Sequence, residues 1–241
     1  MPLRSFAVCA ILAFAGGLLV ASFAGFREFL PGLLEGAWIT VKITAGGCIL
    51  AVACAFTAAM MKMYGRWPAR WIAIAYIEIF RGTSALVQLF WLFFVMPRFG
   101  IRLEPMTVAI LALGLNVGAY GAECTRGAIA AVARGQWEAT IALNMTRSQA
   151  LRRIILPQAF VGMIPPWGNL FIELLKATAL VSLITISDLA FKAQQMNATT
   201  YRTVEIFSIV LVFYLAIAML ITIAMQTLEQ VAARNIARGR L

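Results

Sequence analysis

Histidine is absent from the 241 residues, and charged side chains are scarce at 12%. Without an imidazole there is no histidine base and no His-ligated zinc. Neither His-Glu-x-x-His nor Gly-x-x-x-x-Gly-Lys-Ser/Thr occurs, so any ATP that drives this protein is hydrolysed by another chain. A Gly-x-Ser-x-Gly elbow and a Gly-x-Gly-Asp run are missing too, which argues against an intramembrane enzyme. The cysteines Cys9, Cys48, Cys54 and Cys124 form no Cys-x-x-Cys pair and lie in apolar stretches, so they read as reduced thiols. No catalytic residue, metal or cofactor is expected.

What fills the chain instead is apolar: 62% of residues are hydrophobic and the mean hydropathy is +0.88. A soluble domain runs nearer half apolar and a quarter charged. The excess of Lys and Arg, 20 against 10 acids, has little solvated surface on which to meet nucleic acid, and it reads as membrane topology. Six stretches are long and apolar enough to span a bilayer: about Ser5 to Phe26, Gly36 to Met61, Trp71 to Met96, Pro105 to Val132, Pro166 to Ser187 and Thr203 to Leu228. The expected fold is therefore all-α and polytopic, a single membrane domain over residues 1–241. Placing both termini in the cytoplasm puts twelve basic residues inside against Arg27, Arg98, Arg102, Lys192 and Arg202 outside. The first stretch, ending Ser22-Phe23-Ala24, also has the form of a cleavable secretory signal, but it is longer than a usual signal core.

Of the connecting loops only residues 133–165 are long, basic and amphipathic. Thr146 followed by Gln149 is a capping box, so a helix starts there, and Pro157 is expected to end or bend it. Asn144 stands where the chain must turn, and asparagine accepts a left-handed backbone. The segment reads helix, turn, helix. Leu151, Ile154 and Ile155 beside Arg147, Arg152 and Arg153 equally suit an interfacial helix lying on anionic membrane lipid.

The spacing Glu-Ala, a turn residue five positions on, then Ile-x-Leu-Pro resembles the cytoplasmic signature of ABC importer permeases. It is carried here by Glu138, Ala139, Asn144 in place of the usual Gly, Ile154 or Ile155, Leu156 and Pro157. The resemblance implies that residues 133–165 form a coupling helix seated in a groove of a separate ATPase subunit. Residues Glu78 to Phe90 are similar to a core span of the polar amino-acid uptake permeases, with Ser84 where Pro is usual. Asn169 to Asp188 resembles another such span, with Ala177 replacing Asp and Ala179 replacing Ser. The Lys-Ala-Thr-Ala-Leu form resembles most the ectoine and hydroxyectoine permeases. The likeness covers about residues 29–228, leaving the first span outside a five-span core. It implies as partners an extracytoplasmic binding protein and a second permease chain, identical or homologous, in a bacterial inner membrane.

Charges inside the spans are the candidate substrate path. An ionisable group near the bilayer centre costs at least about 2.5 to 3.5 kcal/mol unless paired. Glu78 with Arg81, and Glu173 with Lys176, fall near mid-depth as i,i+3 pairs. They read either as two self-compensated ion pairs or as partners for the carboxylate and amine of a zwitterionic solute. Thr83, Ser84, Gln88 and Ser182 add neutral hydrogen-bonding groups, and Asn116, Tyr120 and Glu123 form a polar stripe that either lines the path or packs on a neighbour. Lys42 is expected to snorkel, and Pro165-Pro166 with Gly168 to open the fifth span. The resulting expectation is a permease subunit of an ABC importer for a small zwitterion. A secondary transporter or channel without ATP coupling is the alternative.

Overall fold

A computed structural model describes residues 26–237. The first expected span therefore lies outside the described residues but for its last position. Everything described that is regular is helical, and four helices are long and apolar enough to cross a membrane.

The first, α1 (Phe26–Tyr64), absorbs the expected loop at residues 27–35. Its stretch Glu28–Tyr64 runs 37 residues, about 56 Å at 1.5 Å per residue, well beyond a hydrocarbon core of about 30 Å. Pro31 lies inside the helix, past its first turn, where its ring lacks the N–H that would bond the carbonyl four residues back.

The expected third span is not one helix. It divides into α2 (Trp67–Gly82) and α3 (Ala85–Phe90), bent by 106° at Thr83–Ser84. A break at membrane depth leaves carbonyls that lipid cannot satisfy. Here side chains do so: Gln88 Nε2 donates to the Phe80 carbonyl at 2.9 Å and to Thr83 Oγ1 at 2.6 Å, while Asn116 Nδ2 donates to the same Phe80 carbonyl at 2.9 Å.

A π-helical turn (Trp91–Val95) and a 3-10 turn (Met96–Phe99) continue α3. Then comes α4 (Pro105–Ala130), the most enclosed helix. Its Gly114, Gly118 and Gly121 let neighbours come close: an added Cβ would lie 2.8 Å from Leu50, 2.7 Å from the Tyr76 hydroxyl and 2.5 Å from the Trp167 ring. Small residues at about helical spacing are the usual means of close packing in membranes.

The loop folds as α5 (Arg134–Ala142), α6 (Arg147–Ala150), a π turn (Leu151–Ile155) and α7 (Leu156–Ala177), followed by a 3-10 turn (Thr178–Ile184). Pro157, expected to end or bend the helix, does not end it, and Pro165-Pro166 do not open a span as expected; both lie inside a helical run from Arg147 to Ile184. The π turn explains the first. Leu156 N–H bonds the Leu151 carbonyl five residues back, and this wider turn takes up a proline that lacks an N–H and would crowd the carbonyl four residues before it. The same device recurs at Trp91–Val95, two residues before Pro97.

Two helices complete the bundle, α8 (Leu189–Thr200) and α9 (Thr203–Ala237). The buried centre is built mainly by α1, α4 and α7, around Ile43, Ala51, Leu113, Ile155 and Leu174. A second cluster, Phe29, Leu33, Leu189, Ile206 and Ile209, ties α8 and α9 to the beginning of α1. Leu211, Leu220, Ile223 and Val231 of α9 stay exposed, as suits a lipid-facing helix.

Candidate functional site

The loop carries the local structure expected of it. Thr146 Oγ1 accepts from Gln149 N–H at 3.3 Å, and Gln149 Oε1 accepts from Thr146 N–H at 2.9 Å. Asn144 has φ 55°, the left-handed backbone that joins α5 to α6. Thr140 is buried and Trp137 packs against the core, so one face of α5 is anchored. Glu138 and Ala139 on the other face are exposed, and no ion pair among the described residues engages Glu138. Leu156 and Pro157 are half-buried where the loop enters α7. The result is a short helix held by one face and presenting an unpaired carboxylate.

Of the two readings of the charges inside the spans, the i,i+3 ion pairs do not form. Among the described residues no ion pair joins Glu78 to Arg81 or Glu173 to Lys176, and all four side chains are exposed. Arg81 instead lies over the Tyr120 ring, 5.4 Å from its centroid, and stands in the last turn of α2, where the helix dipole favours a cation. The Tyr120 hydroxyl donates weakly to the Arg81 carbonyl at 3.3 Å. Lys176 occupies the last turn of α7.

The neutral members divide. Thr83, Gln88 and Asn116 are engaged at the break of α2 and α3, and Thr83, Gln88, Ile79, Phe80, Val87 and Trp91 line a largely apolar groove of about 360 Å³ there. Ser182 Oγ donates to the Ala179 carbonyl of its own turn at 2.8 Å. Ser84 is exposed at the bend. Lys42 reaches over the Trp38 ring, 5.3 Å from its centroid.

Glu123 is a packing residue. It accepts from Lys62 Nζ at 2.6 Å and from Arg126 Nε at 2.8 Å, tying α4 to the end of α1. No local signal reports this triad, because Lys62 is 61 residues away, just past the end of the expected second span.

Comparison with known proteins closes the matter of kinship. Residues 47–234 match the family described as binding-protein-dependent transport system inner membrane component. The chain is 43% identical over 215 residues to the probable amino-acid ABC transporter permease protein y4tF of Sinorhizobium fredii, covering 87% of this chain and 90% of that one. It is 37% identical to the L-cystine transport system permease protein TcyB of Bacillus subtilis, covering 88% and 91%, and 36% identical to the glutamine transport system permease protein GlnP of Escherichia coli, covering 83% and 93%. A crystal structure of an amino acid ABC transporter with histidines superposes with a TM-score of 0.80 at 34% identity, over 86% of this chain and 97% of that one. The chain belongs to the binding-protein-dependent transport system inner membrane components, the permease subunits of ABC transporters.

Proposed function

We propose that the protein is the translocation subunit of an amino-acid-type ABC importer, with ATP hydrolysis on a separate chain docked at α5 and solute handed over by an extracytoplasmic binding protein. The observation that carries the reading is the exposed Glu138–Ala139 face, held by the left-handed Asn144 turn and the Thr146 capping box against a helical run that reaches Ile184. A push on α5 would pass through the Asn144 turn, fixed by its cap, into the run that carries Glu173 and Lys176. Replacing Glu138 by Lys reverses the charge offered to the ATPase. Stimulated ATP hydrolysis and uptake should both fall at least tenfold in proteoliposomes, and wild-type rates would sink the docking role.

The mid-depth charges support a paired permease and a zwitterionic solute. Four exposed, unpaired ionisable groups cannot face hydrocarbon cheaply, so a second permease chain or an aqueous path covers them. Two copies also supply two docking loops for a pair of ATPase subunits. Native mass spectrometry of the solubilised complex should record two permease chains, identical or homologous; one chain on two ATPases would refute the pairing. Arg81 and Lys176 suit a carboxylate, and Glu78 or Glu173 an amine or amidinium. Names of relatives favour a polar amino acid, while Ala177 and Ala179 favour an ectoine-like solute; calorimetry of the cognate binding protein with glutamine, cystine and ectoine separates the two.

A further inference from the structure

A cavity of about 610 Å³ opens between the end of α1 and the start of the α6–α7 run, away from the mid-depth charges. Phe56, Met60, Met63, Leu151 and Leu156 give it an apolar wall, and Arg147, Arg152, Ser148 and Tyr64 give it a polar rim. We propose that it binds an anionic glycerophospholipid, its phosphodiester between Arg147 and Arg152 and an acyl chain along Phe56 and Met60.

Three observations converge on that occupant. Neither arginine has an ion-pair partner among the described residues, and both line the cavity together with Tyr64. A forked guanidinium pair without a carboxylate is a phosphate-recognising arrangement. Second, the apolar wall extends away from the arginines along α1: Phe56 lies eight residues before Tyr64, about 12 Å further along the helix at 1.5 Å per residue, so the cavity runs from its charged rim back along the apolar span. Third, Arg66, Arg70, Arg134 and Arg153 are exposed at the same end of the bundle, with Glu138 the acid of the loop, so the local field favours an anion. The volume is in the range of cavities that take a compact ligand, enough for a headgroup and the first carbons of a chain. Lys62, the nearest further cation of α1, is already engaged by Glu123 and is not needed.

The test uses the full chain purified in detergent, with phosphatidylglycerol, phosphatidylcholine and inorganic phosphate as probes. Phosphatidylglycerol should remain bound in native mass spectra and raise the melting temperature, phosphatidylcholine much less, and inorganic phosphate not at all. The R147Q/R152Q variant should hold phosphatidylglycerol roughly 30-fold more weakly, the loss set by two interfacial cations, while R66Q/R70Q should keep most of it. Equal retention by R147Q/R152Q, or equal response to the two lipids, would overturn the proposal. A phosphatidylglycerol with a diazirine on its acyl chain tests the wild type alone: label on the Phe56–Met63 stretch supports the site and its absence refutes it. Loss of that label when the ATPase subunit is added, with R147Q/R152Q failing to assemble, assigns the cavity to the ATPase and overturns the lipid reading.

Discussion

Asp188 should make this protein less stable as the pH rises, and Asp188→Asn should remove that dependence. The residue is fully buried and caps α8, its Oδ1 accepting from Phe191 N–H at 2.9 Å, but its Oδ2 has no partner. It lies outside the four spans, where the backbone of residues 188–189 presses on Gly36 so closely that a Cβ there would lie 2.8 Å from the Asp188 carbonyl. The side chains around it offer no counter-charge: Thr40 accepts from Leu189 N–H, Tyr214 is neutral and unpartnered at its hydroxyl, and Lys192 is engaged by Glu35 at 3.1 Å. Burial pushes the Asp188 carboxyl up from 3.8 to about 6, against the pull of the cap N–H groups. A folded-state value above the unfolded one means that the folded chain binds the proton more tightly. Its stabilising effect is complete below about pH 4 and is lost as the pH rises through about 6. Above both values the charged form costs at most about 3 kcal/mol, from roughly two pH units at 1.36 kcal/mol each.

Asparagine keeps the capping oxygen and is an equally good N-cap. Its amide removes the unpaired charge that the carboxylate carries at Oδ2. Thermal unfolding in detergent, followed by tryptophan fluorescence from about pH 5 to pH 8, should show wild-type melting falling across the range and the variant staying flat. At the upper end the variant should melt about 5 to 10 °C higher, given about 2–4 °C per kcal/mol for a chain of this size. Parallel profiles, or a variant less stable at pH 8, would refute the reasoning.

Glu123→Gln should lower stability by about 1–2 kcal/mol, since it strands Lys62 in a partly shielded site; adding Lys62→Met should recover most of the lost melting temperature. At position 144 the left-handed backbone predicts that Asn144→Gly is neutral while Asn144→Val costs about 1–2 kcal/mol, read as loss of ATPase-coupled uptake before loss of expression. Arg81→Gln should assemble normally but transport at least fivefold more slowly, because Arg81 does not hold Glu78 in place. If Glu78→Gln restores expression or transport to an Arg81→Gln protein, the two are a structural pair after all.

The parts of this protein that were legible in its sequence are those fixed within a few residues. The Thr146–Gln149 box closes over three positions and Asn144 answers a single backbone angle, so both stand as read. Apolar length placed α4 and α9 well. It merged α2 and α3, because hydropathy continues across Gly82-Thr83-Ser84 while the backbone does not. That bend is stabilised by Asn116, from another helix, and by Gln88, so no local signal reports it. Proline misled for a related reason. A rule that proline ends helices assumes ideal α-helical bonding, and the π turns before Pro97 and Pro157 change the bonding instead.

The mid-depth charges show the same division between local spacing and tertiary placement. An i,i+3 interval allows an ion pair, but the rotamers that make one compete with other contacts on offer. Arg81 has the Tyr120 face and the end of the α2 dipole, both of which depend on where α4 packs. Glu123, by contrast, finds Lys62 across 61 residues because α1 and α4 approach closely along their small residues. Among the described residues, the charges that pair between helices do so at the bundle's ends, as Lys62 with Glu123 and Lys192 with Glu35. Glu78, Arg81, Glu173 and Lys176 stay exposed and without an ion-pair partner on α2 and α7, the faces that the proposed solute path or second chain would use.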